Sequence, residues 1–538
     1  MSSSGEFDHD HLLEKYVVPP SDWPKTLDFG APSHDEAIII LDDVRTAKSR
    51  LSPLGAEIER AVDVINKLKC RRDEFRYYIA EHQAFLAPIR RLPAEILSLI
   101  FCRFCDPKEN LSSRFPKHQF TLATVCRRWR AIVLSTPEIW SKLRVEFYNH
   151  NIKRCTAMTR AWLSNSGTCR LSLELKERYH HSSPPRWKHP MLKVIKPYCD
   201  RIESLDLDVH AETLFAFTSN EGTFPALQSI KIYISGSYGP DPPNAWRALE
   251  TAPALRRVYF HNIFRPRTVK LPWIQLTVLF FGDKVAIKLR KSLDILRRCP
   301  NLESCAFLSI NATSSLNPSI GNEEILHSNL RLLQVRTRQS LSNFFDRLTL
   351  PALRDIHVAY DSGQAQFVSL LARSPCRIER FVIDTQLTPH HFIQCLKSMP
   401  HLVELDIREY TSSTSFRKLL QQLTLVGKSS HDLCPALRVL HLSNDPPLGS
   451  RDLVNMVNSR NRGMHSPNAV SIQSIHISLE QMTLNVLADL KDIRKQGVKL
   501  FITDPTGTNY DSLLTMSFDV ELPSRKKWSL FEIQDTAS

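Results

Sequence analysis

The stretch Pro400-His401-Leu402-Val403-Glu404-Leu405-Asp406-Ile407 places apolar side chains at the first, fourth and sixth positions of an L-x-x-L-x-L pattern, two residues after a proline. The fourth and sixth positions alternate as the buried side of a strand does, and proline ends any helix arriving from upstream. With any apolar residue allowed at the marked positions, the pattern recurs at Ile202/Leu205/Leu207, Leu227/Ile230/Ile232, Leu255/Val258/Phe260, Leu276/Leu279/Phe281, Leu302/Cys305/Phe307 and Leu330/Leu333/Val335. It continues at Leu353/Ile356/Val358, Ile378/Phe381/Ile383, Leu402/Leu405/Ile407, Leu437/Leu440/Leu442 and Ile472/Ile475/Ile477, mostly in steps of 21 to 28 residues and finally of 35. Pro225, Pro253, Pro300, Pro351 and Pro435 occupy the place of Pro400, so each unit is expected to read helix, proline turn, strand. One such unit cannot bury its apolar face alone. Neighbours must stack, which predicts an α/β array over residues 165–505, a curved solenoid with parallel strands inside and helices outside. An incomplete first rung is expected at Leu171–Leu175 and a last strand at Val498–Ile502.

Strand alternation sends Leu205 and Leu207 inward and leaves Ser204, Asp206 and Asp208 on a concave solvent face. The same count puts Lys231, Tyr233, Tyr259, His261, Gln334, Arg336, His357, Asp406, Arg408, His441 and His476 on that face, a set of aromatic and arginine side chains suited to holding a protein target. His441 and His476, on successive rungs, are expected about 5 Å apart and without a carboxylate partner. Arg336 and Arg408 are expected to be solvated, so that reversing their charge leaves folding intact.

Upstream, residues 1–35 are acidic, polar and proline-bearing and read as a disordered tail; residues 506–538 read as a tail or cap. Residues 36–87 form an amphipathic pattern. Ala37, Val44, Leu51, Ile58, Ile65, Arg72, Ile79 and Leu86 share one heptad position, and Ile40, Ala47, Leu54, Ala61, Leu68, Phe75 and His82 share the other. Pro53 is expected to break the helix. The seam fits a dimeric coiled coil or a helix packed on its own chain.

Residues 88–143 differ again. Pro88-Ile89-Arg90-Arg91-Leu92-Pro93-Ala94-Glu95-Ile96-Leu97-Ser98-Leu99-Ile100-Phe101 opens a helix with Ile96, Leu97, Ile100 and Phe101 on one face. After the insertion Asp106–Lys117, a second helix carries Val125, Cys126, Trp129, Ile132 and Val133, and Pro137-Glu138-Ile139-Trp140 closes the module. About 55 residues is near the limit for a self-sufficient core, so part of this apolar surface calls for a partner. The Leu-Pro-x-Glu-Ile-Leu opening, the Val-Cys-x-x-Trp helix and the closing Pro-x-Ile-Trp resemble an F-box, and the array behind them resembles the irregular leucine-rich repeats that follow F-boxes in many fungal proteins. The resemblance implies docking onto a Skp-type adaptor, and through it a cullin scaffold, by Leu92, Pro93, Ile96, Leu97, Ile100, Val125, Cys126 and Trp129, with Ile132 and Trp140 bracing the helices. The insertion departs from the family pattern in the middle of that surface.

The chain has 538 residues, 42% of them apolar, and 70 basic against 56 acidic side chains, a net charge of +14. Residues 88–143 hold ten bases and four acids. No zinc-finger spacing, basic helix with heptads or aromatic RNA motif accompanies this excess, so it reads as a solvated surface rather than a nucleic-acid site. No apolar run approaches the ~18 to 20 residues of a membrane span. The first residues, with Glu6, Asp8 and Asp10, do not read as a signal peptide, which predicts the cytoplasm and/or nucleus and twelve reduced cysteines. Phosphate-loop, dinucleotide, hydrolase and zinc-protease motifs are all missing, and Cys102-Arg103-Phe104-Cys105 lacks a second ligand pair, so neither enzyme, cofactor nor metal is expected. The expected role is substrate recognition within a ubiquitin ligase; the alternative is a non-ligase scaffold that uses the same module for another assembly.

Overall fold

In the computed structural model of the chain the described residues are 17–18, 32–105, 118–148, 150–178, 190–210, 213–214, 223–235, 247–262, 270–311, 324–360, 363–385, 388–409, 413–425, 432–443, 445–448, 451–461, 470–479 and 483–503. They fall into two compact bodies, residues 1–97 and 98–538. Most of the expected tail, the insertion Asp106–Lys117 and the segment 506–538 lie outside the described residues.

The first body is dominated by one helix, α1 (His34–Leu86), 53 residues long. A reciprocal cap starts it: Ser33 Oγ accepts from the Glu36 amide at 3.4 Å and the Glu36 carboxylate accepts from the Ser33 amide at 2.8 Å. Pro53 lies inside α1 and does not break it, contrary to expectation. It removes one backbone donor, a cost of about 3 kcal/mol that a helix of this length absorbs. The helix ends at the extended Ala87, where Pro88 opens a 3-10 turn, Pro88–Arg91. Not one residue of α1 is buried.

The second body begins inside α2 (Ala94–Phe104) and continues with α3 (His118–Val125) and α4 (Arg127–Leu134). The expected single helix through Cys126 is therefore two. Cys126 adopts φ −160° and ψ 169° and serves as the N-cap of α4, its sulfur accepting from the Trp129 amide at 3.4 Å.

Among the described residues the rest of this body is organised by one sheet of fourteen strands, all parallel and arranged in chain order. They are β1 (Lys142–Tyr148), β2 (Leu171–Arg178), β3 (Ile202–His210), β4 (Ser229–Ser235), β5 (Arg257–Phe260), β6 (Val278–Phe281) and β7 (Ser304–Phe307). There follow β8 (Leu332–Arg336), β9 (Asp355–Ala359), β10 (Arg380–Ile383), β11 (Glu404–Ile407), β12 (Val439–Leu442), β13 (Ser474–Ser478) and β14 (Lys499–Thr503). The eleven patterned segments supply β3 to β13. The sheet starts at Lys142, ahead of the expected 165, and β2 is a full strand rather than a partial rung.

All thirty-three marked apolar residues of the pattern are at most 3% exposed. Except in β3, which begins at Ile202 itself, the first position is not on the strand but in the turn two residues before it. In six units the residue preceding proline accepts from the amide of that first apolar residue, as Met399 does from Leu402 at 3.2 Å and Cys299 from Leu302 at 3.2 Å, so proline occupies the second place of a four-residue turn. Two successive amides then share one carbonyl of the preceding rung: Glu303 and Ser304 donate to Thr277, and Arg331 and Leu332 to Glu303. This ladder repeats up to Val439 and Ser474.

Helices cover the side of the sheet that holds the fourth and sixth positions. Phe367 in Gln364–Arg373 and Phe392 in Pro389–Lys397 lie 6.0 and 6.3 Å from Phe381 of β10. Among the described residues between β5 and β6 the helical element is a 3-10 turn, Trp273–Gln275. Behind the short strands Phe260, Phe281 and Phe307 stack at 5.6 and 5.4 Å. Phe281→Ala should lower unfolding stability by about 3–5 kcal/mol, and Tyr259→Ala, on the opposite face, by about 1 kcal/mol or less. Denaturant titration of the two variants checks this; equal losses would contradict a sheet with one covered face.

Candidate protein-binding surfaces

The first candidate surface is built on short helices. In the first body the Leu97 amide donates to the Pro93 carbonyl at 3.1 Å, which starts α2, and Leu92 stays extended. Pro93 and Ile96 are exposed, but Leu97 is 0% exposed, so Leu97 belongs to the core and not to a docking face. In the second body Phe101 is buried and packs its ring 4.8 Å from Trp129, holding α2 to α4. Ile100 and Val125 are 43% and 56% exposed, and Cys126 is exposed at its cap. Trp140 braces as expected: it is 3% exposed, donates Nε1–H to the Val133 carbonyl at 2.8 Å and packs 4.9 Å from Trp162, while Ile132 is buried at 7% exposure. Among the residues not foreseen are Leu99 at 63% and Phe104 at 45%, three and four positions from Ile96 and Ile100, a spacing the sequence displayed, and Phe120 and Leu134 at 44% and 48%. Burial pushes the Cys105 thiol up to about 12, and that of Cys102 upward too. Among the described residues no group of three or more His, Cys, Asp or Glu side chains is placed to hold a metal ion.

The second surface is the sheet face opposite the helices. Strand register lines up one row across it, running Asp206, Lys231, Tyr259, Phe280, Ala306, Gln334, His357, Val382, Asp406, His441, His476 and Phe501. The beginning of the row is charged: Lys231 lies 4.0 Å from Asp206, whose carboxyl burial raises above the usual range, and its amine sits 5.7 Å over the Tyr259 ring. Tyr233 and His261 occupy the next row of the same face. The centre is apolar, with Phe280 6.1 Å from Tyr259 and 5.3 Å from His261, and with Val278 two residues before it on the same face of β6. Ala306 and Gly282 keep the neighbouring positions small, and a Cβ on Gly282 would overlap the His261 carbonyl. Phe280, between the inward Leu279 and Phe281, belongs to this face by the same alternation, although the sequence expectation did not name it.

The far end is ionic and aromatic. Arg336 is paired with Asp384 at 3.0 Å and Arg408 with Asp406 at 2.9 Å; the two carboxylates are 12% and 9% exposed. Neither arginine is simply solvated, so charge reversal would set like charges against carboxylates with little access to water, and the expectation of unperturbed folding is corrected. His441 has the carboxylate partner that the sequence did not reveal, Glu404 at 3.3 Å, and stacks 4.2 Å from His476, which stacks 4.4 Å from Phe501.

Burial, reinforced by the Arg408 guanidinium, lowers His357 to about 4. Its imidazole is neutral at pH 7. Below its ordinary value near 6.5 the unfolded chain takes up a proton that the folded chain refuses, so this contribution is complete above pH ~6.5 and is lost as pH falls towards 4. His357→Gln should therefore lose less stability than the parent between pH 7 and 4.5; parallel declines in thermal melts would contradict this.

Residues 89–146 match the F-box-like family, a span that runs from the 3-10 turn through α2, α3 and α4 into β1. No curated protein matches the chain. With that match the chain carries an F-box-like domain at residues 89–146, followed by an extended parallel sheet.

Proposed function

We propose that the chain is the substrate-recognition subunit of a Skp-cullin-F-box ubiquitin ligase. Residues 88–143 dock a Skp-type adaptor and, through it, a cullin scaffold, while the open sheet face captures a target protein. The subunit is non-catalytic and works in the cytoplasm and/or nucleus; holding the target beside the transferring enzyme makes ubiquitin transfer effectively intramolecular. The observation that carries the reading is the F-box-like match at residues 89–146, where Leu99, Ile100 and Val125 remain 63%, 43% and 56% exposed. Burial of each such side chain is worth ~1.5 to 3 kcal/mol, which favours a partner over water. Residues 165–505 are read as irregular leucine-rich repeats, a reading supported by the recurrent pattern, its uniform burial and the chain-order parallel strands. On the open face, the apolar centre at Tyr259 and Phe280 between charged ends fits a target that inserts an apolar side chain and meets a polar rim.

Ile100→Glu combined with Val125→Glu should weaken binding of a purified Skp-type adaptor at least tenfold without moving the melting temperature of the sheet, as read by titration calorimetry and thermal scanning. Undiminished affinity would remove the ligase reading. Tyr259→Ala with Phe280→Ala should abolish target co-purification while adaptor binding stays unchanged; retained targets would place capture elsewhere than the centre of the sheet.

A further inference from the structure

The 53-residue α1 has no buried residue, and its seam is conspicuously apolar: Leu51, Ile58, Ile65, Leu68 and Phe75 are 64%, 56%, 49%, 63% and 66% exposed. Helical stability in water comes mainly from packing an apolar stripe, so this stripe calls for an occupant. We propose that the occupant is α1 of a second copy of this chain, lying antiparallel. The inference is independent of what the F-box-like domain binds.

Charge sets the orientation. The start of α1 carries Asp35, Glu36, Asp42 and Asp43, whereas residues 67–76 carry five bases against two acids. In a parallel pair each cluster would face its own copy, and Arg72, at a seam position, would meet Arg72 of the other chain. Antiparallel pairing brings the acidic start of one helix to the basic stretch of the other.

Shape agrees with charge. In a parallel pair Ala37, Ala47 and Ala61 would face themselves and leave gaps, while Phe75 would face Phe75. The antiparallel register that sets Ala37 against Phe75 also sets Ala47 against Ile65, Ala61 against Leu51, and Asp43 beside Arg71. Pro53 falls outside the seam. Eight large apolar side chains per copy, at about 60–120 Å² each, bury about 1,000–1,900 Å² in the pair, within the range of stable specific interfaces.

The full chain, 61.7 kDa, should sediment as a dimer at micromolar concentration, and Ile58→Asp with Ile65→Asp should sediment as a monomer with the melting transition of the sheet unchanged. Orientation is read by spin labels on the exposed Cys70 in a Cys126→Ser background. An antiparallel pair places the two labels about 30–45 Å apart along the helix, and a parallel pair within about 20 Å. A monomeric parent chain, including one whose helix packs on its own chain, overturns the proposal. So does the short label distance, or a double variant that remains dimeric.

Discussion

The structure depends on one repeated constraint: an apolar side chain in the proline turn must be buried while the carbonyl of the preceding rung receives two amides of the next. Leu402 satisfies the first condition at 0% exposure, and the amides of Val403 and Glu404, both bonded to the Glu379 carbonyl at 2.8 and 3.0 Å, satisfy the second. The paired amides fix the entry points of β5 to β13 relative to their neighbours, and the proline turn adds to this in six of the units. From the entry point the period-2 alternation determines which side chains enter the core, and the aromatic stacks behind β5, β6 and β7 follow from register alone.

The same constraint creates the open face. Parallel sheets ordinarily carry helices on both sides, whereas among the described residues Phe344, Phe367 and Phe392 pack against Phe307 and Phe381 of the buried row. The exposed side is free to vary in chemistry from rung to rung without disturbing the ladder, and it does so, from charged at Asp206 and Lys231, to apolar at Phe280, to ionic and aromatic from Asp384 to Phe501. The F-box-like domain is joined to the sheet through its own last residues: Trp140 sits between Val133 and Trp162, and β1 begins two residues later.

Much of this was legible in the sequence because it is periodic or local. The turn proline, the three marked positions and the bracing tryptophan are properties of single units. What was not legible depends on distant pairs. Glu404 beside His441, and Asp384 beside Arg336, come from different rungs, so no single unit displays them. β1 fits the pattern as well, with Trp140, Leu143 and Val145 at the three marked positions, but the sequence reading assigns Trp140 only to the close of the preceding module. Leu97 and Ile100 share a helix and an apolar character, and only packing separates the core residue from the exposed one. Pro53 shows the limit of local rules in the other direction, since a residue that disfavours helix can be carried within a long one.

The central claim is that the F-box-like domain, and not the sheet, receives the adaptor. Amide hydrogen exchange of the full chain, with and without a purified Skp-type adaptor, tests it most directly. Added protection should concentrate in Ala94–Phe104 and His118–Leu134 and leave β5 to β13 unchanged. Unchanged exchange in those helices, or protection centred on the open sheet face, would contradict the account.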